Sequence, residues 1–184
     1  MQFETCHIPG LVIVTPKVFS DSRGFFFEAY NRKPFEEAGI TANFVQDNQS
    51  QSSYGVIRGL HFQRNPFAQS KLVRVLQGTI LDVGVDIREG SPTFGQHFSI
   101  ELSAENKKQL FLPAGFAHGF SVLSETAIVA YKCDNYYSKE SEGGIRYDDP
   151  ELAIDWKIDP AKAIVSGKDL ELPLLSESFA NFTY

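Results

Sequence analysis

Short apolar segments recur along the chain, and clusters of glycine, proline and polar residues separate most of them. Such segments, rich in Val, Ile and Phe and bounded by turn residues, are typical of strands. They predict strands at 11–19 (interrupted at Pro16), 25–30, 71–77, 79–87, 96–102, 110–112, 119–123 and 127–133. Many short strands spaced by turns predict a β-sandwich or barrel with helices at its margins.

Four other segments are predicted to be helical or irregular. Pro34 to Gly39 carries a proline near the first turn, two glutamates and a terminal glycine, which predicts a short helix. Asp159-Pro160 has the signature of a helix start. The polar residues after Phe44 predict a loop that Gly55 closes, and Pro113 to Gly119 predicts a turn. With no repeat or linker in the sequence, residues 1–184 are predicted to form a single domain.

Composition and charge narrow the class of protein. The chain has 184 residues and a net charge of −6, which argues against general nucleic-acid binding. Its two cysteines cannot form a disulfide framework, so reduced thiols are expected. We find neither a signal-peptide pattern at the N-terminus nor an apolar stretch near the ~20 residues that a membrane helix needs. These features predict a cytoplasmic protein.

A cluster of basic residues stands out in this acidic chain. It comprises Arg58, His61, Arg64, Lys71 and Arg74. A local cationic pocket suits a small anionic ligand, although a solvated cationic strand face is the simpler alternative. A histidine and a lysine on neighbouring strands suit an acid/base group beside a fixed positive charge.

Two histidines have the spacing of the two cupin motifs. They are His61, six residues after Gly55, and His118, in the Pro113-x-Gly115-x-x-His118 turn. A metal-binding cupin normally adds a second histidine at 63 and a glutamate near 71, but Gln63 and Lys71 occupy these positions. An ammonium group repels a divalent ion, and two histidines fall short of the usual ligand number. The spacing therefore predicts a cupin barrel without a metal site.

An ordered set of motifs resembles the dTDP-4-dehydrorhamnose 3,5-epimerase family. The set consists of Arg23-Gly24, Glu28, Gln46-Asp47-Asn48, Arg58-Gly-Leu-His61, Lys71-Leu-Val-Arg-Val, Asp82-Val-x-Val-Asp-Ile-Arg88, Ser91-Pro-Thr-Phe-Gly95, Phe116-Ala-His-Gly-Phe120, Tyr131-Lys132 and Lys168-Asp169. The resemblance runs from about residue 10 to about residue 170, and the ordered set is far more specific than any one motif.

The resemblance implies a cupin-type double-stranded β-helix, or jelly roll, that works without metal or other cofactor. It further implies an isomerase of dTDP-rhamnose synthesis for cell-wall polysaccharide, which inverts C3 and C5 of dTDP-4-dehydro-6-deoxy-D-glucose. A homodimer is implied as well, with N-terminal strands (about 1–30) exchanged between subunits, while about 155–184 would form a C-terminal extension.

The resemblance also implies roles for individual residues. His61 would be the base, Asp169 would orient its ring, Lys71 would stabilise the enolate and Tyr131 would be the opposing acid. The positions implied to bind substrate are Arg23, Glu28, Gln46, Asp47, Asn48, Arg58, His118, Tyr137, Glu142 and Lys168, with Arg23 and Glu28 reaching over from the partner subunit. Without the resemblance, Tyr131 reads as a buried tyrosine, Arg23 as a solvated turn residue and Asp169 as a surface charge.

Three alternatives stay open from the sequence. A mono-epimerase acting on one carbon of a related dTDP-4-keto sugar needs the same base and acid. A metal-dependent cupin is disfavoured by Gln63 and Lys71. A nucleotide-sugar-binding cupin without catalysis would bind the same ligand but exchange no proton.

Overall fold

The computed structural model describes residues 1–184 and contains fourteen strands and two helices. The strands are β1 (Gln2–Thr5), β2 (Val12–Thr15), β3 (Phe19–Asp21), β4 (Gly24–Phe26), β5 (Gln46–Ser53), β6 (Val56–Gln63), β7 (Lys71–Gln77), β8 (Thr79–Asp86), β9 (His97–Ser103), β10 (Gln109–Leu112), β11 (Phe116–Val122), β12 (Thr126–Cys133), β13 (Glu142–Gly144) and β14 (Ile164–Val165). The helices are α1 (Arg32–Glu37) and α2 (Gly167–Leu170), and short 3-10 helices occur at Lys139–Ser141, Pro160–Lys162 and Leu175–Glu177.

Two sheets face each other and enclose the main core. The first sheet has the order β1-β2-β10-β7-β12-β5, and the second has the order β13-β6-β11-β8-β9 with β14 added parallel to β6. The strands β3 and β4 pair only with each other. This arrangement confirms the prediction of a mainly β jelly roll with short peripheral helices. Neither helix has the length and apolar character that a bilayer-spanning segment requires.

Apolar residues form three packed layers around the sheets. The layer between the sheets includes Val73 and Val129 from the first sheet and Phe120 from the second, all buried. A second layer lies on the outer face of the second sheet, beneath the C-terminal segment. The third lies beneath α1, whose Phe35 packs with Leu72 on the outer face of the first sheet. Strand alternation then leaves the polar residues of the inner faces pointing into the barrel.

A register shift in β6 determines which of its side chains face the barrel interior. Between Arg58 and His61 the pairing of β6 with β11 changes register. Residues three apart point to opposite faces of a regular strand, so the shift is what allows both side chains to face inward. It requires glycine at 59, because φ is +115° and a Cβ would lie 2.6 Å from Cα of Gly119.

Four expectations about local structure were wrong. The strand predicted at 25–30 ends at Phe26 as β4. Residues 46–53 form β5 rather than a loop, because all eight pair with β12 and their polar side chains alternate between the barrel and solvent. His118 lies in β11 rather than in a turn, since the strand begins at Phe116. His61 and Lys71 belong to opposite sheets, so they approach across the barrel instead of along one sheet.

The predicted strands at 71–77, 79–87, 96–102 and 127–133 are confirmed within one residue at each end. The predicted helix at 34–39 is confirmed as α1, which starts earlier because the Asn31 side chain caps it by accepting from the Lys33 amide. The signature at Asp159-Pro160 begins a single 3-10 turn. β1 and β2 pair onto β10 of the same chain, and the exchange of residues 1–30 stays a prediction.

Candidate active site

A histidine–aspartate pair lies at the second sheet. His61 projects from β6, and its Nε2 is 2.8 Å from Oδ1 of Asp169 in α2, 108 residues further along the chain. The His61 side chain is about one-third exposed, whereas that of Asp169 is only 5% exposed. The imidazole therefore faces an open space while its partner is shielded from water.

Several donors hold the Asp169 carboxylate ionised. Burial by itself would raise its pKa, but hydrogen bonds from His61 and the Gly59 amide outweigh burial and lower the pKa below its usual value. The Gly59 amide donates to Oδ2 at 3.2 Å, and Ser166 caps α2 by accepting from the Asp169 amide. An ionised Asp169 accepts the Nε2 proton of His61, so Nδ1 is left as the basic nitrogen.

Lys71 and Tyr131 face this pair from the first sheet. The Lys71 ammonium donates to the backbone carbonyl of His61 at 3.3 Å. Burial lowers the pKa of Lys71, although nearby Cys133 and Asp82 oppose the shift. Burial also raises the pKa of Tyr131, which keeps its hydroxyl protonated at neutral pH.

A second histidine–aspartate pair lies deeper in the barrel. His118 Nε2 is 2.8 Å from Oδ1 of Asp82, and both residues are buried. Burial lowers the pKa of His118 despite the neighbouring carboxylate, so the ring is neutral. Oδ2 of Asp82 is the one buried side-chain polar atom in the chain without a hydrogen-bond partner. Lys71 is close enough for Asp82 to oppose the effect of burial on the lysine pKa.

His61, Lys71 and Tyr131 line one cleft of about 370 Å³. Its lining includes Gln46, Asn48, His61, Gln63, Gln69, Lys71, Tyr131, Tyr137 and Glu142. At its rim the Tyr137 hydroxyl donates to Glu142 at 3.2 Å, and the Lys168 ammonium lies 2.5 Å from the other oxygen of Glu142. Nine of the fourteen predicted site residues therefore line the cleft or, in α2, bond directly to a residue that lines it. His118 lies behind the cleft.

The structure places other predicted site residues elsewhere. Arg58 faces the open side of the barrel, where its Nε donates to Ser52 Oγ at 3.0 Å. Asp47 points to the outer face of β5, where it pairs with Lys132 and its side chain is 73% exposed. Arg23, at the tip of the β3–β4 hairpin, pairs with Asp21 and is 88% exposed. Glu28 lies just beyond the hairpin and accepts from Asn31.

Several residues without a predicted role support the site. Asp82 holds His118, Ser52 holds Arg58, and Gln63 Oε1 accepts from the Ser138 amide at the base of the rim. One signal was available for Asp82, because a carboxylate inside an otherwise apolar strand is costly without a partner. Ser52 lay in the segment mistaken for a loop. No three His, Cys, Asp or Glu side chains converge as a metal-binding group.

The sequence profile of the dTDP-4-dehydrorhamnose 3,5-epimerase family matches residues 5–177. This chain belongs to that family. The epimerase from Salmonella typhimurium is 54% identical over 172 residues, which cover 93% of each chain. Members of the family have the cupin-type fold, and the two facing sheets of this chain form the same fold.

Two solved structures illustrate the range of similar proteins. A dTDP-6-deoxy-D-glucose-3,5-epimerase from Legionella pneumophila, solved in complex with dTDP-4-keto-L-rhamnose, has a TM-score of 0.92 and 51% identity; the match covers 96% of this chain and 93% of that one. A 3'-monoepimerase from Streptomyces bikiniensis, solved with dTDP-quinovose, has a TM-score of 0.86 and 32% identity, with 93% and 86% covered. Fold alone therefore does not separate double from single epimerisation.

Proposed function

We propose that this epimerase inverts C3 and C5 of dTDP-4-dehydro-6-deoxy-D-glucose, with His61 as the base and Tyr131 as the acid. The observation that carries the proposal is the His61–Asp169 pair, at 2.8 Å, in a cleft shared with Lys71 and Tyr131. The unpaired thiols of Cys6 and Cys133 support a place of action in the reducing cytoplasm.

Proton removal requires a positioned base. A hydrogen α to a ketone is a weak acid, and the free Nδ1 of His61 takes it as the C–H bond electrons move into the enolate. Asp169 stabilises the imidazolium that forms and keeps the ring in one tautomer. Because Asp169 is buried and already ionised, it gives this stabilisation without a proton transfer of its own.

The enolate oxygen requires a fixed positive charge. The ammonium of Lys71, held beside the His61 carbonyl, supplies it in a partly buried setting where electrostatic attraction is stronger than in water. Burial lowers the pKa of Lys71, and the nearby Cys133 and Asp82 oppose that shift and so favour the ammonium form.

Inversion requires a proton donor on the opposite face of the sugar. His61 lies on the second sheet and Tyr131 on the first, so a ring bound between the sheets meets the base on one side and the phenol on the other. Tyr131 donates its proton to the carbanion carbon and becomes a phenolate. The phenolate then recovers a proton from solvent, and the imidazolium of His61 releases its proton to solvent, so both groups are restored for the second carbon. Because the base and the acid come from different sheets, they act on opposite faces of the sugar, and the configuration is inverted.

The nucleotide end requires polar and aromatic contacts. We propose that Arg58 binds the diphosphate and that Tyr137 stacks on the thymine ring. Gln46 and Asn48, which point into the cleft from β5, provide polar contacts. Roles for Asp47, His118, Glu142 and Lys168 in contacting substrate stay predictions.

The test is incubation with the dTDP-4-keto-6-deoxy-glucose in deuterated water, with both ring positions followed by NMR. We expect deuterium at C3 and at C5, together with inversion at both carbons. Deuterium at one carbon alone would show that the chain is a mono-epimerase. Binding of the sugar nucleotide without any deuterium incorporation would show that it is a nucleotide-sugar-binding protein.

The lowered pKa of Lys71 predicts the alkaline side of the pH–rate profile. Activity requires the ammonium form, which is lost as the pH rises through a pKa below the 10.5 of a free lysine. Tyr131, with a raised pKa, loses its proton only at higher pH. The alkaline fall in kcat/KM should therefore move to higher pH in Lys71→Arg, because a guanidinium stays charged throughout this range. If the alkaline fall in kcat/KM did not move, it would arise from another ionising group.

The β3–β4 hairpin supports a homodimer. Phe19, Phe25 and Phe26 are 53%, 61% and 66% exposed, and the two strands pair with no other strand. A two-stranded hairpin is marginal in water by itself, and exposed aromatic clusters mark interaction sites. We propose that a second copy of the chain covers this hairpin and receives Arg23 and Glu28 at its cleft.

Mixed dimers test this exchange. His61→Ala and Arg23→Ala subunits, each severely impaired alone, should recover about a quarter of wild-type activity when refolded together in equal amounts, since half the dimers then contain one intact site. If Arg23 served its own subunit, no mixed dimer would contain an intact site and no activity would return. Wild-type and Lys17→Ala subunits, mixed in the same way, control for the refolding.

A further inference from the structure

The short helix α2 carries two consecutive residues that hold opposite parts of the cleft. Asp169 points inward and bonds to His61 and to the Gly59 amide of β6. Lys168 points outward and pairs with Glu142, which in turn accepts from Tyr137. One helical turn thus links the acid/base pair to the aromatic rim.

Few other interactions fix this turn. α2 has only four residues, and such a short helix has little stability of its own. Apart from the pairing of β14 with β6 just before it, α2 is held by the Ser166 cap and by Leu172. Leu172 packs onto β13 where Gly144 has no side chain, and a Cβ there would lie 2.7 Å from Leu172. The direction in which α2 presents Asp169 therefore depends on the side-chain bonds at both of its faces.

The rim is itself tied to the strand that carries His61. Glu142 lies opposite Gln63 in the pairing of β13 with β6, and Gly144 lies opposite His61. Arg64 donates to the carbonyls of Glu140 and Glu142. The closed circuit runs from His61 through Asp169, α2 and Lys168 to Glu142, and back along β13 to β6.

We infer that Lys168 is a positioning residue: its ion pair with Glu142 holds α2, and hence Asp169, against His61 and couples the Tyr137 rim to the base. The inference rests on the proposed function, because it assigns the coupling to the same cleft. A nucleotide that stacks on Tyr137 and fixes Glu142 would then also tighten the grip of Asp169 on His61.

Charge in the pair is consistent with this geometry. Burial would raise the pKa of Glu142, but the bond from Lys168 outweighs it and the pKa is lowered. The same bond raises the pKa of Lys168. Both groups are therefore charged at neutral pH, and the pair persists where the enzyme works.

The experiment compares Lys168→Met, Glu142→Gln and the double variant with wild type. A positioning unit predicts that kcat falls about tenfold in each single variant, with KM changed less, because a misplaced base affects chemistry more than binding. The double variant should be no slower than either single one, since both remove the same link. Lys168→Arg should restore most of kcat.

Other outcomes overturn the inference. If kcat is unchanged and KM alone rises, or if the two losses multiply, Lys168 and Glu142 act separately as substrate contacts. Lys157→Met is the matched control: Lys157 is as exposed as Lys168, at 61%, and pairs with Asp155 away from the cleft. Its kcat should equal that of wild type, and unfolding midpoints should show that all variants are folded.

A second readout is independent of turnover. The ring nitrogens of His61, labelled with 15N, report the hydrogen bond to Asp169, which Lys168→Met should weaken and Lys157→Met should not. If the wild type fails to epimerise, the proposed function is wrong, yet this spectrum still tests the coupling. Identical spectra in wild type and Lys168→Met would refute the coupling.

Discussion

Replacing His61 with alanine should abolish deuterium exchange at both C3 and C5, with a loss of at least about 10³-fold in kcat/KM. In the proposed mechanism the same imidazole faces the bound sugar for both inversions, and Glu142, another carboxylate in the cleft lining, is held in an ion pair with Lys168. Asp169, the partner of His61, has a side chain only 5% exposed, and the Lys71 amine is bonded to the carbonyl of residue 61, so neither replaces the missing nitrogen. The measurement is the solvent-exchange assay by NMR with wild-type protein beside it.

The His61→Ala result needs a control for general damage. His7→Ala removes an exposed histidine outside the cleft and should leave both exchange rates intact. Added imidazole should partly restore exchange in His61→Ala, because the deleted ring leaves room for it. Exchange that survived at one carbon in His61→Ala would show that a different base serves that carbon, and the single-base scheme would be wrong.

Strand positions were predictable from the sequence because each depends on local alternation. The strand predicted at 71–77 begins and ends as β7 where the pattern placed it. The strand at 46–53 was not predicted, because polar residues on both of its faces remove the alternation of polar and apolar positions. Its side chains line a wet cleft on one face and solvent on the other, so neither face needed to be apolar.

The geometry of the active site could not be predicted from the sequence, because it depends on tertiary structure. Arg58 and His61 share a face only through the register shift at Gly59, which no periodicity predicts. Asp169 comes from 108 residues away, and without the resemblance its position in the sequence indicates only a surface charge. The resemblance to the family identified Arg58, His61 and Asp169 as site residues. Only the structure shows that the Gly59 amide holds Asp169 and that opposite sheets present His61 and Lys71.

The same separation of the sheets leads to the second large effect. Tyr131→Phe should uncouple proton exchange from inversion, because His61 still removes the α protons while the opposing acid is absent. In deuterated water, the imidazolium exchanges its proton with solvent and returns deuterium to the same face. Labelled starting sugar of unchanged configuration should therefore accumulate, while the inverted product forms about 10²- to 10⁴-fold more slowly.

Structural damage does not account for such a pattern. The ring of Tyr131 packs against the apolar layer between the sheets, and phenylalanine keeps that contact. Tyr54→Phe, which removes a hydroxyl from an exposed residue outside the cleft, should invert both carbons at the wild-type rate. Equal loss of exchange and inversion in Tyr131→Phe would mean that the hydroxyl assists proton removal. Unchanged inversion would mean that water or another group protonates the opposite face. The predicted pattern, exchange with retention, arises only when the base and the acid are separate residues on opposite sheets.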